Sequence, residues 1–361
     1  MQDKEEIIRT LSDHYIAKVM RAFGNVDPAS KALEVVAKSL NEIYRYFEPS
    51  FFKGDFFVCK DLNDQPCFDE SKGALLYDKN ILLNRTGGLL IIQVFTDSSK
   101  MIIWEDQDPD ELFKQTKTLI YHFNNNKEYF FANGSKIDIT IYNKGSRFAT
   151  QFNDLVQALC HYSKSKILKS TCKHFSDSWA DTKRLFFKGG GSGSNIPEKF
   201  MQLSLHEFLS TFFARGISME SSREYNVVGD LSKPKPVDIK IQWREANRTA
   251  LIEIKFIGTV KKEADGEIYT HGDPRANQGI AQLKEYFDTA SSDAPTTILK
   301  SYLVVIDGRR NNLTPDKTTI NTADGMCYKD IDIVINEDKK FHESILGFEK
   351  PIRMFAEPVC S

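Results

Sequence analysis

Two short runs in the second half of the chain constrain its fold more than anything else in the sequence: Val237-Asp238-Ile239-Lys240-Ile241 and Leu251-Ile252-Glu253-Ile254-Lys255-Phe256. Both alternate apolar residues with charges, and a period of two belongs to the β-strand, whose successive side chains point to opposite faces. Glu253 and Lys255 therefore share one face of their strand, inside an apolar surround. Burying a carboxylate or an ammonium is costly unless it is paired, hydrogen-bonded or bound to a metal, so charges embedded in this way require a reason.

The rest of the chain supplies the context for these strands. Its 361 residues exceed what one ordinary core organises, and two domains are expected. The run Gly189-Gly190-Gly191-Ser192-Gly193-Ser194 has no side chain able to pack and reads as a flexible tether, natural or engineered. It places the expected boundaries at 1–188, 189–194 and 195–361. No Lys-Ser or Lys-Thr follows the glycines, so the run is not a phosphate-binding loop.

Before the tether, apolar residues from Ile7 to Phe23 and from Leu33 to Phe47 recur at three- and four-residue spacing, the mark of amphipathic helices, with Asp27-Pro28 as the turn between them. Strand-like runs at 88–96, 101–104 and 137–142, and helical patterns at 110–123 and 152–168, complete an α+β half. After the tether the pattern predicts a helix over 197–215, strands at 225–228, 237–243 and 250–257, a helix over 274–290, a strand at 302–307 and a late strand at 331–335.

Composition narrows the setting. The longest apolar runs are far too short to span a bilayer, and the first residues carry charges where a secretory peptide needs an apolar core. The six cysteines form no disulfide-dense pattern. These features fit a cytoplasmic protein without a membrane partner. A net charge of −2 excludes a polybasic protein that grips nucleic acid by bulk electrostatics, but it does not exclude a nuclease, whose acidic ligands offset basic patches.

The chemistry that suits Asp238, Glu253 and Lys255 is phosphodiester hydrolysis. Asp238 and Glu253, with the carbonyl of Ile254, offer the hard oxygen donors that Mg²⁺ (or Mn²⁺) takes alongside substrate phosphate oxygens. Lys255 is suited to orient an attacking water and to stabilise the developing charge. The same charges also fit an ordinary cross-strand pair on a solvated sheet face.

At these residues the chain resembles the PD-(D/E)XK nuclease superfamily: Pro236-Val237-Asp238, a gap, then Glu253-Ile254-Lys255, on the second and third strands after a leading helix. Val237 stands between a proline and an aspartate that usually abut. The resemblance covers about residues 200–310. It implies an α/β fold for the second half, a restriction-endonuclease-like mixed sheet flanked by helices, beside the separate α+β half. It also implies a metal-assisting glutamate on the leading helix, where Glu207 stands, and a glutamine and tyrosine one turn apart on the following helix, matched by Gln282 and Tyr286. Residues four apart share a helix face, so both can reach one site.

Several residues admit two readings. His271 and Arg275 precede or open the helix after the third strand, where Arg275 could clamp phosphate with its planar fork, yet Asp273 and Pro274 there equally read as a cap and first helical position. Cys160-His161 and Cys172-Lys173-His174 match no common zinc spacing. The basic stretch from Lys164 to Lys188 could guide nucleic acid or be a solvated face.

The sequence thus leads to a metal-dependent nuclease, more readily of DNA than RNA, with a place in prokaryotic anti-phage defence as an expectation from architecture. The alternative is a non-catalytic nucleic-acid or protein interaction module on the same fold. The first half has no triad or phosphate loop, and its expected role is to sense an activating ligand, organise a homo-oligomer, dock a partner protein or hold DNA.

Overall fold

The computed structural model describes residues 13–24, 26–97, 100–125, 127–140, 150–169, 172–190, 196–213, 219–226 and 236–360. The opening of the first expected helix, the ends of the strands at 137–142 and 225–228, and Gly191–Ser194 lie outside them. The chain is mixed α/β, with mostly antiparallel mixed sheets flanked by helices. It divides into two compact units, Met1–Asp154 and Leu155–Ser361.

Among the described residues the first unit begins with helices α1 (Asp13–Phe23) and α2 (Val26–Ile43), followed by strands β1 (Lys53–Asp61), β2 (Ala74–Leu75), β3 (Gly87–Val94) and β4 (Met101–Trp104). Helix α3 (Pro109–Phe113) and the meander β5 (Thr118–Asn124), β6 (Lys127–Ala132) and β7 (Ser135–Asp138) complete it. The seven strands run in the order β2-β4-β3-β1-β5-β6-β7, parallel only between β1 and β3. One sheet face buries Phe56, Val58, Leu90, Ile92 and Tyr121 with Leu33, Val36 and Leu40 of α2. The other buries Phe57, Cys59, Ile91, Trp104 and Ile120 with Leu112 of α3. The helix expected over 110–123 is instead one turn and a strand. Asp108 caps Asp110 N at 2.9 Å to start the turn, and the β-branched and aromatic run Thr118-Leu119-Ile120-Tyr121 joins β1.

Helix α4 (Gln151–Tyr162) carries the chain into the second unit, followed by α5 (Lys173–Ser176), β8 (Phe187–Gly189), α6 (Ile196–Phe213), β9 (Met219–Asn226), β10 (Pro236–Trp243), β11 (Arg248–Lys262), β12 (Ile268–His271), α7 (Asp273–Asp293), β13 (Ile298–Gly308), α8 (Thr322–Met326) and β14 (Ile352–Phe355). The central sheet runs β14-β13-β11-β10-β9, with β12 and β8 added to β11. A boundary at 188 is therefore not where this fold divides: β8 lies parallel to the end of β11, Val260 opposite Phe187, and Tyr162 donates to Ser204 Oγ at 2.8 Å. Residues 155–190 belong with the second unit because their aromatic side chains find their apolar partners there, Phe187 against Phe256 at 4.4 Å among them.

Within this sheet β10 and β11 form a hairpin through Arg244–Ala246 and Asn247, whose left-handed φ of 48° suits the short polar side chain of asparagine. Helix α7 packs across β11 and β13, burying Ala276, Ile280, Leu283 and Tyr286 against Leu251, Leu303 and Val305. The strand expected at 331–335 is not formed. That segment is bound by side chains of α7 instead: Asp273 accepts from Val334 N at 3.2 Å, and Asn277 donates to Val334 O at 2.9 Å and accepts from Asn336 N at 2.9 Å. The last strand of the sheet is β14.

Candidate active site

The charged residues singled out in the sequence meet where β10 and β11 part. Their antiparallel pairing runs from Trp243–Arg248 to Ile239–Ile252 and ends there. β11 continues, and it meets β12 only from Gly258 onward. Over residues 253–257 its strand partner among the described residues is β13. A buried backbone N–H without an acceptor is costly, and here two carboxylates take the place of a strand. Asp238 Oδ2 accepts from Ile254 N at 2.7 Å, and Glu198 Oε1, from α6, accepts from Phe256 N at 3.1 Å. Because the N–H and C=O of a strand residue lie on the same edge, the Ile254 carbonyl faces the same opening.

Glu253 and Lys255 stand side by side on the face covered by α7, 3% and 4% exposed, with Lys255 Nζ 2.5 Å from Glu253 Oε1. Lys255 Nζ also lies 4.0 Å from Glu198 Oε2. Its aliphatic stem passes under Gly279 of α7, where an added Cβ would fall 2.5 Å from Lys255 Cγ. The glycine is thus what lets the helix lie directly on the lysine. Glu253 Oε2 is buried and, among the described residues, has no hydrogen-bond partner.

Burial pushes the Asp238 carboxyl well above the usual carboxylate range, and the neighbouring Glu253 charge pushes it further. Burial likewise raises Glu253, with Lys255 acting in the opposite direction. The arrangement therefore holds more negative charge than its one lysine relieves. This donor set fits a hard divalent cation: two carboxylates and a carbonyl converge, and one buried carboxylate oxygen lacks a partner. Among the described residues no three His, Cys, Asp or Glu side chains cluster tightly enough to hold a metal by themselves. An ion here would complete its shell with carbonyl, water and substrate oxygens, which is how Mg²⁺ is usually held.

Of the two α7 residues, Tyr286 lies beside this centre. Tyr286 donates to Pro236 O at 3.2 Å, tying the helix to the start of β10, and its phenol is raised by burial and by the charges of Glu253 and Asp238. Gln282, one turn earlier, is half-buried with an Oε1 that meets no donor among the described residues.

Two expectations change. Glu207 is not at this site: its carboxylate is 63% exposed and lies 3.2 Å from His174 Nε2. Glu198 stands in its stead. The two are nine residues apart on α6, about two and a half turns, and so face opposite ways. The i, i+4 pair Glu198 and Gln202 was the overlooked signal. Gln202 Nε2 donates to Asp238 O at 2.9 Å and approaches Asp238 Oδ1 at 3.4 Å. Arg275 is not a free clamp for phosphate, since its guanidinium grips Glu198 with Nε to Oε1 at 2.9 Å and Nη2 to Oε2 at 2.5 Å. His271 sits opposite Gly258 on β12 with its ring edge-on to Phe256; burial and the Arg275 charge lower its pKa and leave it neutral at pH 7.

Away from this centre, His161 stacks on Phe208, His174 faces Glu207 and Cys160 is exposed. No helix among the described residues is long and apolar enough to cross a membrane. No protein-family model, curated protein or solved structure matches the chain.

Proposed function

We propose that the second unit is a Mg²⁺-dependent nuclease of restriction-endonuclease-like fold that hydrolyses phosphodiester bonds in DNA, and that the first unit regulates it or holds its substrate, in a setting such as anti-phage defence. The observation that carries this reading is the buried Glu253–Lys255 pair beside Asp238, at the point where β10 and β11 part. A structural ion pair needs no third, uncompensated carboxylate next to it, and a hydrolytic centre does.

In this reading Asp238, Glu253 and the Ile254 carbonyl hold the ion. When bound, Mg²⁺ polarises the scissile phosphate and lowers the pKa of the attacking water. The chain's own part is positional and electrostatic. Asp238 is fixed by Ile254 N and Gln202, so its oxygens enter the site without reorganising. Lys255, confined by Gly279 and Glu253, presents a fixed ammonium to the oxygen that gains negative charge as the phosphorus becomes five-coordinate. Glu198, held by Arg275, lies 4.0 Å from the Lys255 ammonium and adds negative potential beside it. Gln282 supplies an amide oxygen that can accept from the water.

The test is cleavage of plasmid, linear double-stranded and single-stranded DNA, with RNA alongside, in Mg²⁺ or Mn²⁺ and in EDTA, for wild type and Lys255→Ala. Metal-dependent cleavage that the substitution abolishes is expected. Absence of cleavage by wild type, together with no heat of Mn²⁺ binding that Asp238→Ala removes, would refute the reading.

A further inference from the structure

The first unit contains a thiol pair held in register by its neighbours. Cys59 lies on β1 opposite Gln93 of the parallel strand β3, and both are buried in the face that also holds Phe57 and Trp104. The Gln93 amide does not pair with a strand. It reaches over to the chain leaving β1, donating to Gln65 O at 2.7 Å and accepting from Cys67 N at 2.7 Å. Gln115 Nε2 fixes the other side of the same residue by donating to Cys67 O at 2.6 Å. Asp61 Oδ1 accepts from Asn63 N at 2.8 Å and Gln65 N at 3.1 Å, and Lys60 pairs with Asp64 at 2.6 Å. The turn between the two cysteines is thus bonded along its length. It sets Cys67 against the cluster that contains Cys59, its backbone N–H bonded to the Gln93 side chain that stands opposite Cys59 in the sheet.

We propose that Cys59 and Cys67 form a reversible oxidation site, closing to an intrachain disulfide when the chain meets a peroxide. A turn already bonded in place loses little further freedom when its ends are joined. The order of the steps follows from exposure. Cys67 is partly accessible while Cys59 is fully buried, and burial raises the Cys59 thiol, which disfavours it as the first nucleophile. The Cys67 sulfur attacks one oxygen of hydrogen peroxide, the O–O bond breaks, and sulfenic acid and water form. The Cys59 sulfur then attacks the Cys67 sulfur, the S–O bond breaks, and the Cys59 proton leaves with the hydroxide as a second water. In total, two thiols and one peroxide give one disulfide and two waters. The site is independent of the nuclease reading.

Hydrogen peroxide is the probe, applied to the full chain, followed by alkylation under denaturing conditions and peptide mapping by mass spectrometry. The expected result is loss of two alkylatable thiols, a mass lower by two hydrogens, and a peptide linking Cys59 to Cys67 that dithiothreitol separates. Cys67→Ser should abolish the link and leave Cys59 as a thiol, whereas Cys160→Ser, at an exposed cysteine, should leave it intact. Three results on the wild type alone would overturn the proposal: sulfinate at Cys67 with Cys59 still free, either cysteine linked to a different one, or both thiols retained under conditions that oxidise Cys160.

Discussion

Ile254 donates its backbone N–H to Asp238 Oδ2 at 2.7 Å, so the strand that carries Glu253 and Lys255 also fixes the third charged residue of the site. The bond crosses the opening where β10 has already left β11. Geometry and charge pull against each other there. The same contact that orients Asp238 also brings its carboxylate close to that of Glu253, and burial strengthens the repulsion.

That conflict predicts a pH dependence. Both carboxyls are raised above their unfolded values, Asp238 and Glu253 alike chiefly by burial. A carboxyl raised in the native state binds protons that the unfolded chain has released, so stability falls as pH rises from the unfolded value near about 4 through the native one. Each unit of displacement is worth about 1.4 kcal/mol. In EDTA, wild type should lose Tm across this window relative to Asp238→Asn, which keeps an acceptor for Ile254 N but not the charge. Mn²⁺ should restore the wild type at neutral pH and have less effect in acid, where protons compete for the same oxygens. Parallel pH profiles for the two proteins would rule out the raised aspartate.

The two glutamates of α6 should separate sharply. Glu198→Gln leaves the Arg275 guanidinium, 14% exposed, without its charged partner, and a loss of about 3 kcal/mol in urea unfolding is expected. Glu207→Gln removes only a solvent-facing contact with His174 and should cost less than about 0.5 kcal/mol. Equal effects would mean that the helix is turned differently from the arrangement described.

Gly279→Ala tests how closely α7 lies on the site. In a solvated helix the change would add stability, by about 1 kcal/mol. Here the new methyl falls 2.5 Å from Lys255 Cγ, low on the lysine stem, and 2.8 Å from Leu303 Cδ1, a leucine methyl packed in the core beneath the helix. A net loss of about 1–3 kcal/mol is expected, with Lys255 displaced. A gain in stability would show that the helix stands further off.

Much of this centre can be read directly from sequence. The alternation in Val237–Ile241 and Leu251–Phe256 yields β10 and β11, and with them the common face of Glu253 and Lys255, because a strand's period of two leaves no freedom of face. The helix on which Gln282 and Tyr286 lie is equally plain. Glu198 was not legible for a physical reason. A helix pattern fixes which residues share a face but not how far along the sheet the helix sits, so Glu207 and Glu198 were both open and only tertiary packing chose. The boundary escaped for a different reason. Glycine and serine mark where a chain is free to bend, whereas a unit ends where apolar contacts end, and β8 carries those contacts up to Gly189. The segment 331–335 has strand-like residues, yet Asp273 and Asn277 capture its backbone before any strand can.

The strongest coupling in the molecule should be that between Lys255 and Glu253. Lys255→Met keeps the stem that packs beneath Gly279 but removes the cation that touches Glu253 Oε1, while Oε2 has no partner among the described residues. The carboxylate then stays buried and uncompensated, and a loss of about 3–5 kcal/mol is expected at neutral pH. Glu253→Gln alone should cost less, since it removes the charge that burial opposes, although Lys255 retains Glu198 only at 4.0 Å. Joined in one chain, the two changes should recover most of the loss, giving a coupling of at least about 2 kcal/mol in a double-mutant cycle. Saturating Mn²⁺ should narrow the deficit of Lys255→Met, because a cation held by Asp238 and Glu253 neutralises the same oxygens. If the two substitutions simply add, the lysine is not what makes the buried carboxylate tolerable.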